Sequence, residues 1–357
     1  MIIELSALTF GAALAIAVVG LAVTALIDAW QGSTGLRSLT VSLAASAIGW
    51  AAWAGWLALA RPELDPLLTL PVTALGGLAA VLASIPVRLL GHGPAVSLAF
   101  AALWSALVFG PVAIALFSLE GGVLGAFLVT VDLAGALPTL VAAGGGGAAV
   151  LLAGRRHADP PRDAARPWLL LGLFAIVWAL WTVWLVGMEL AVDELTWRII
   201  INTLLAPPAS AAAWLVVQRA QHAKTTPTAA VGGLLCGLVS IAPGCGNLGV
   251  VGALLTGLVA GSTCSLVGYR LAARTGNPGW LIVTILVGGG GLGTGLIGAF
   301  ASRTGLIFTG QPEQLLTQFA SAALVTVFAV TVSFIAWAAV AAVVRPVRGD
   351  VASRAAS

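Results

Sequence analysis

GGLLCGLVSIAPGCGNLGVVGALLTGLVAG, residues Gly232 to Gly261, is the stretch on which the reading of this chain turns. It is too apolar for a soluble protein and too rich in glycine for an ordinary lipid-facing helix. Glycine at this density lets helix backbones approach closely, which marks tight packing inside a membrane bundle. The Ala-Pro-Gly-Cys-Gly run in its middle, Ala242 to Gly246, breaks the segment, so that one helix ends and another begins.

The rest of the 357 residues agree. Sixty per cent are hydrophobic and 8% charged, a composition that excludes a soluble domain and points to a protein of many membrane spans. A net charge of +3 makes no case for nucleic acid; basic residues in such a chain report topology. Cys236, Cys245 and Cys264 are odd in number, share one apolar region and form no CxxC, so buried free thiols are expected. The chain opens Met-Ile-Ile-Glu with no basic residue before the first apolar run, which predicts a retained helix over a cleaved leader. The apolar spans hold no histidine or metal-ligand cluster and no nucleophile beside a base. No enzyme activity, no metal and no cofactor are therefore expected.

Apolar runs long enough to span recur eleven times: about 3–29, 38–60, 67–90, 94–118, 122–153, 167–188, 195–218, 229–246, 248–271, 279–300 and 315–344. Each meets the roughly 17–25 residues that a bilayer requires. Connections are short, so one transmembrane domain over 1–344 is predicted, followed by a tail over 345–357. The loops after odd-numbered spans, with the tail, hold thirteen of the sixteen basic residues: Arg37, Arg88, Arg155, Arg156, Arg162, Arg166, Arg219, Lys224, Arg270, Arg274, Arg345, Arg348 and Arg354. The other side holds Arg61, Arg198 and Arg303. Positive residues stay inside, so the N-terminus is expected outside and the C-terminus in the cytoplasm of a multi-pass cell-membrane protein. An odd number of spans demands that the two ends lie on opposite sides, and the two readings agree.

An internal repeat is also visible. Gly144 to Gly147 in the fifth span and Gly288 to Gly291 in the tenth lie five spans apart, an odd offset that reverses their direction in the bilayer. Read as an inverted five-plus-five repeat, the halves are about 1–153 and about 167–300, with an extra helix at about 315–344; such folds place their sites at the interface of the halves. The alternative reading is that runs of glycine are common in a chain with 44 of them.

The Gly232–Gly261 stretch resembles the helix-eight and helix-nine region of the ammonium transporter (Amt/Mep/Rh) family, where GLVxITPxxGYVGxxGALxxGxxAG is a signature. Ala242 stands for that family's Thr, and Asn247 for its Tyr. Shorter similarities follow in order: Gly20-Leu21-Ala22, without the family's Phe-Tyr-Gly-Gly; Asp132-Leu133-Ala134-Gly135; Asn202-Thr203; and Asn277-Pro278. The resemblance implies an all-α integral membrane fold of eleven helices with an inverted five-plus-five repeat, and a homotrimer in the lipid bilayer. It implies ammonium or ammonia as the small solute.

It also says where the chemistry would be. In the family, aromatic and hydroxyl groups recruit the cation, stacked Phe rings gate the pore, and paired histidines line it, imidazole being able to donate and accept a proton near neutral pH. Here the histidine positions fall at Leu140 and Leu286, and the chain's three histidines, His92, His157 and His222, lie in loops where solvated side chains are expected. The inner gate maps to Trp184, the recruiting Ser to Met188, the recruiting Trp near Phe117 and the outer gate near Thr73. Aromatic faces that remain attract a cation by about 0.5–2 kcal/mol each; packing aromatics are the equal alternative in a chain with 13 Trp. Asp132, the one carboxylate near the outer end of the fifth span, is a functional candidate because intramembrane acids are costly. Accepting backbone N–H bonds at a broken helix is the alternative role. Glu120 and Glu189 sit nearer the interface and are expected to be solvated, and Arg198 is spaced to pair with Asp193 or Glu194 for tenths of a kcal/mol at most.

Two functions follow from these residues. The first is an ammonium-transporter-like channel passing ammonium, ammonia or another small neutral solute, since an apolar pore at Leu140 and Leu286 blocks ions. The second is a non-conducting relative acting as sensor, scaffold or membrane-complex subunit.

Overall fold

The computed structural model describes residues 2–32, 35–61, 63, 66–117, 130–154, 166–222 and 225–354. The first part of the expected fifth span with Glu120, the basic run holding Arg155, Arg156, His157 and Arg162, and Lys224 lie outside the described residues. So do the side chains of His222, Arg345, Arg348 and Arg354.

Among the described residues eleven longer helices are present: α1 (Ile2–Trp30), α2 (Leu36–Ala60), α3 (Pro66–Leu89), α4 (Pro94–Phe117), α5 (Leu137–Ala153), α6 (Pro167–Gly187), α7 (Glu194–His222), α8 (Pro227–Ile241), α9 (Val250–Thr275), α10 (Gly279–Phe300) and α11 (Glu313–Arg354). A single helical turn, Leu306–Thr309, precedes α11. Ten of them are long and apolar enough to cross a bilayer among the described residues, and α5 is a shorter apolar helix. Bilayer thickness sets these lengths, which is why their bounds follow the apolar runs closely. The exception is the last: α11 continues to Arg354, past the predicted end at 344, because hydropathy marks where a helix leaves the apolar slab and not where its hydrogen bonding stops.

Burial sorts the helices. The most apolar window of α3 is 89% buried and that of α2 only 17%, so α3 is central and α2 faces lipid. In α5 every residue from Leu137 to Gly147 is buried, and α10 is buried along most of its length. α1 packs on α3 and α6, α2 on α3, α7 on α8 and α9, and α11 along α5 and α10. Thr24 and Ser42 join α1 to α2 through a 2.8 Å hydroxyl contact. Three helices widen locally into π turns: Ser105–Phe109 in α4, Leu137–Val141 in α5 and Thr284–Gly289 in α10.

The glycines of Gly232–Gly261 do what their density suggested. A β-carbon at Gly257 or Gly261 of α9 would collide with the main-chain oxygen of Ala206 or Ser210 on α7. One at Gly233 or Gly237 of α8 would meet the backbone of Ala211 or Pro207 on the same helix. α7 is thus clasped by two glycine faces, a contact made by van der Waals packing and not by the hydrophobic effect, because lipid is as apolar as leucine. Between α8 and α9 the chain makes a 3-10 turn, Ala242–Gly244, and re-enters a helix at Val250, two residues later than the run at 248 suggested. Leu248 is held in an isolated antiparallel bridge with Ala301, which delays the start.

Candidate functional site

Where α5 begins, five parts of the chain meet on the face away from the arginine-rich loops. Asp132 sits in a turn that Gly135 closes with φ +67°, a left-handed value that glycine adopts freely. Its Oδ1 accepts the Ala136 N–H at 2.7 Å and its Oδ2 the Leu137 N–H at 2.8 Å. These are two of the unpaired donors at the start of α5, so the carboxylate caps the helix with both oxygens. The next residue ties this turn to the Pro243 break: Leu133 N–H donates to the Pro243 carbonyl at 3.0 Å. The two features that stood out in the sequence are therefore in contact.

Two amides fix the backbone around them. Asn202 of α7, fully buried, donates to the carbonyls of Cys245 at 2.8 Å and Leu248 at 2.7 Å. Gln318 of α11, also fully buried, accepts from Val131 N–H at 2.9 Å and donates to the Val131 carbonyl at 2.8 Å and the Thr294 carbonyl at 3.2 Å. Thr130 meets Ser321 of the same helix at 2.6 Å. Neither amide was assigned a role from sequence. The available signal was an amide inside an apolar helix, Asn202 in α7 and Gln318 in α11, where such a group needs a partner.

The predicted site residues fall into three groups. Phe117, at the end of α4, lies over the Asp132 turn: a β-carbon at Gly135 would stand 2.8 Å from its Cζ and 2.9 Å from Leu75 Cδ1. Thr73 turns its hydroxyl to the Thr69 carbonyl of its own helix, 2.8 Å away. Leu140 and Leu286, both buried, sit in the π turns of α5 and α10 where those helices cross. A β-carbon at Gly144 would meet Leu286 Cβ at 2.8 Å, and one at Gly290 would meet Leu140 Cβ at 3.8 Å, so glycines on each helix seat the leucine of the other. Trp181 and Trp184 of α6 are buried with ring centroids 4.8 Å apart, and neither indole N–H has an acceptor. Met188, half-buried, ends α6, its N–H on the Trp184 carbonyl at 3.0 Å.

Other expectations are corrected. Glu189 is not simply solvated: it is half-buried, Oε2 accepts the Thr196 hydroxyl at 2.7 Å, and Oε1 is buried without a partner. Burial, with the neighbouring Asp193 carboxylate, pushes its carboxyl above the usual glutamate range, against the lowering effect of Thr196. Arg198 reaches the Gly246 carbonyl at 3.4 Å and not Asp193 or Glu194, since Asp193 Oδ1 is taken by the Leu195 N–H at 2.6 Å. A cavity of about 620 Å³ lies beside it, lined by Asp193, Glu194, Arg198, Asn247, Ser302 and Arg303. His92 is half-buried, its ring 5.0 Å from that of Trp337. The three thiols are buried and free.

Chemically, the crossing of α5 and α10 offers aliphatic carbon at both Leu140 and Leu286 and, among the described residues, no imidazole. A charge between them would lose its hydration with nothing to replace it.

Known proteins resemble this arrangement. The family model described as Ammonium Transporter Family matches residues 95–350. An ammonium transporter of Mycobacterium tuberculosis is 30% identical over 251 residues, 66% of this chain and 52% of that protein. One of Bacillus subtilis is 29% identical over 249 residues, 67% of this chain and 60% of that protein. The chain thus spans little more than half the length of these relatives. Among solved structures, Candida albicans Mep2 superposes with a TM-score of 0.77 at 19% identity, covering 93% of this chain and 82% of that one. A structure described as Sensor Amt Protein gives 0.79 at 16% identity, covering 96% and 94%. At these identities the superpositions speak for the fold alone.

Proposed function

We propose, from the premise that this chain belongs to the Ammonium Transporter Family, that it is an ammonium-transporter-like channel passing ammonia or another small neutral solute and not the ammonium ion itself. The observation that carries this is the pair Leu140 and Leu286, buried on crossing π turns, at the positions where the family resemblance expects histidines. Moving a charge into such a place costs several kcal/mol or more, and an apolar constriction dewets and stops ions. An uncharged solute meets neither barrier. Asp132 serves this path by capping α5 and so fixing the outer end of the helix that bears Leu140. Phe117 covers the entrance over Gly135, Met188 borders it, and Trp184 with Trp181 forms an aromatic wall.

The same premise supports a homotrimer in the cell membrane, with the N-terminus outside and the arginine-rich face in the cytoplasm. It supports an inverted repeat as well, residues 1–153 against 167–300, with α11 as the added helix and a cytoplasmic tail from 345. The π turns of α5 and α10, five helices apart and each joined to a run of glycines, favour that symmetry.

The test is stopped-flow uptake by proteoliposomes holding a pH-sensitive dye, under an ammonium gradient, beside protein-free vesicles. A rate above the lipid background, without electrogenic current, is expected. A rate equal to that of empty vesicles, from folded protein in the same sample, ends the channel reading. It would favour the second one, a non-conducting sensor, scaffold or subunit, to which leucine at both expected histidine positions lends support.

A further inference from the structure

Two of the three buried thiols are neighbours. Cys236 of α8 and Cys264 of α9 both pack on the π turn of α10: a β-carbon at Gly289 would stand 3.4 Å from Cys236 Sγ, and one at Gly288 would stand 3.0 Å from Cys264 Sγ. There the two thiols meet, side chain to side chain. Cys264 also donates its S–H to the Thr284 carbonyl at 3.2 Å, in the first residue of the turn that carries Leu286. Cys245 is not with them, its thiol turning to the Ala242 carbonyl at 3.6 Å. The paired sulfurs differ in their surroundings. Cys236 is 0% exposed, and Val239 closes over Gly289 beside it at 3.3 Å. Gly288 is half-buried, and apart from its own helix Cys264 Sγ is the one atom within 4 Å of its missing β-carbon among the described residues. Cys264 keeps 1% exposure, so the notch at Gly288 reaches the edge of this sulfur.

We infer that Cys236 and Cys264 are a redox pair, which a peroxide entering the Gly288 notch closes into a disulfide between α8 and α9. Cys264 reacts first. Its sulfur takes one oxygen of hydrogen peroxide and becomes a sulfenic acid, while its proton leaves with the other oxygen as water. The Cys236 sulfur then displaces the sulfenic hydroxyl, which takes the Cys236 proton and leaves as a second water. Two thiols and one peroxide give one disulfide and two waters, and the two electrons lost by sulfur go to the peroxide. An uncharged oxidant suits the place, since an ion would have to shed its hydration to enter. Closure turns α8 and α9, each held separately against α7 by its glycines, into one covalent unit. It also removes the S–H that Cys264 gives to Thr284, so the α10 turn loses a side-chain donor. The inference is independent of whether the α5–α10 crossing conducts.

The test treats the full chain in detergent with hydrogen peroxide, removes the peroxide with catalase, unfolds the protein in SDS and alkylates it with iodoacetamide before mass spectrometry. Two alkylation sites should be lost together, with a Cys236–Cys264 cross-link that dithiothreitol reverses and Cys245 still alkylated. The oxidised protein should also resist SDS unfolding, its unfolding constant lowered at least about tenfold, because a cross-link restricts the unfolded chain. Cys236→Ala should lose that gain and keep Cys264 as an oxidised acid, and Cys245→Ala should behave as the parent. Three thiols still alkylated after an exposure that oxidises them all in SDS-unfolded protein overturn the inference. So does a cross-link that includes Cys245 or joins two chains, and so does a Cys236–Cys264 cross-link that leaves the SDS resistance unchanged.

Discussion

Replacing Asp132 separates its work as a cap from any work as a charge. Its two oxygens accept the Ala136 and Leu137 N–H groups at 2.7 and 2.8 Å, both from buried residues with no other acceptor at the start of the helix. Hydrogen bonds to a charged group contribute about 1.5–3 kcal/mol each. Asp132→Ala removes both, and relief of the carboxylate's own desolvation returns part of that, leaving a loss of about 2–4 kcal/mol. Asp132→Asn keeps one carbonyl oxygen of the same reach, so its loss should be about half as large. In terms of the unfolding constant, the alanine variant should shift by roughly 30-fold to 1,000-fold. SDS titration of the protein in mixed micelles, followed by the fluorescence of its 13 tryptophans, reads this directly. If capping is the whole role, folded Asp132→Asn protein should carry solute within about twofold of the parent rate. An alanine variant as stable as the parent, or an asparagine variant as damaged as the alanine one, refutes the assignment of both oxygens to the backbone.

Two further outcomes follow from the same packing and electrostatics. Gly261→Ala forces a β-carbon onto the Ser210 carbonyl oxygen, which is main chain and cannot swing aside, so α7 and α9 must part at a cost of about 1–3 kcal/mol in the SDS titration. Gly55→Ala, with nothing within 4 Å, should leave stability unchanged or raise it by about 0.5–1 kcal/mol. For Glu189, burial and Asp193 raise the folded-state pKa above its unfolded value. The folded protein therefore holds this proton more tightly, and the group's contribution to stability grows as pH falls through the raised value and fades as pH rises through it. Glu189→Gln should accordingly be the more stable protein at neutral pH, with the gap to the parent narrowing as pH falls through the raised value and closed once pH is below the ordinary glutamate range. A gap that is constant with pH would mean that Glu189 is not desolvated.

Helix number, helix bounds and the break at Ala242–Gly246 were legible because a bilayer imposes them on composition. A span must reach a fixed thickness without charge, and any departure shows as proline, glycine or a polar residue. Asp132 was legible for the same reason, one carboxylate in apolar surroundings, although only coordinates show that both its oxygens face N–H groups of α5. What stayed hidden is instructive in its chemistry. Gln318 binds Val131, 187 positions away, and Asn202 binds Cys245 and Leu248, more than 40 positions away, and in each case the partner is main chain. Every residue other than proline presents the same N–H and C=O, so a side chain that grips backbone leaves no complementary residue type to be found. The errors over Glu189, Arg198 and His92 share this origin. Each was read from neighbours in sequence, whereas Thr196 across the turn from Glu189, the Gly246 carbonyl and the Trp337 ring are supplied by folding. In a membrane protein the omission matters more than in a soluble one, because an amide within the apolar slab has no water to turn to. Asn202 and Gln318 meet the breaks at 242–249 and 130–136, whereas Gln218, also buried in α7, donates to the Tyr269 hydroxyl at 3.0 Å. A buried amide in an apolar span therefore predicts a polar partner on another element, which a broken helix is one way to supply.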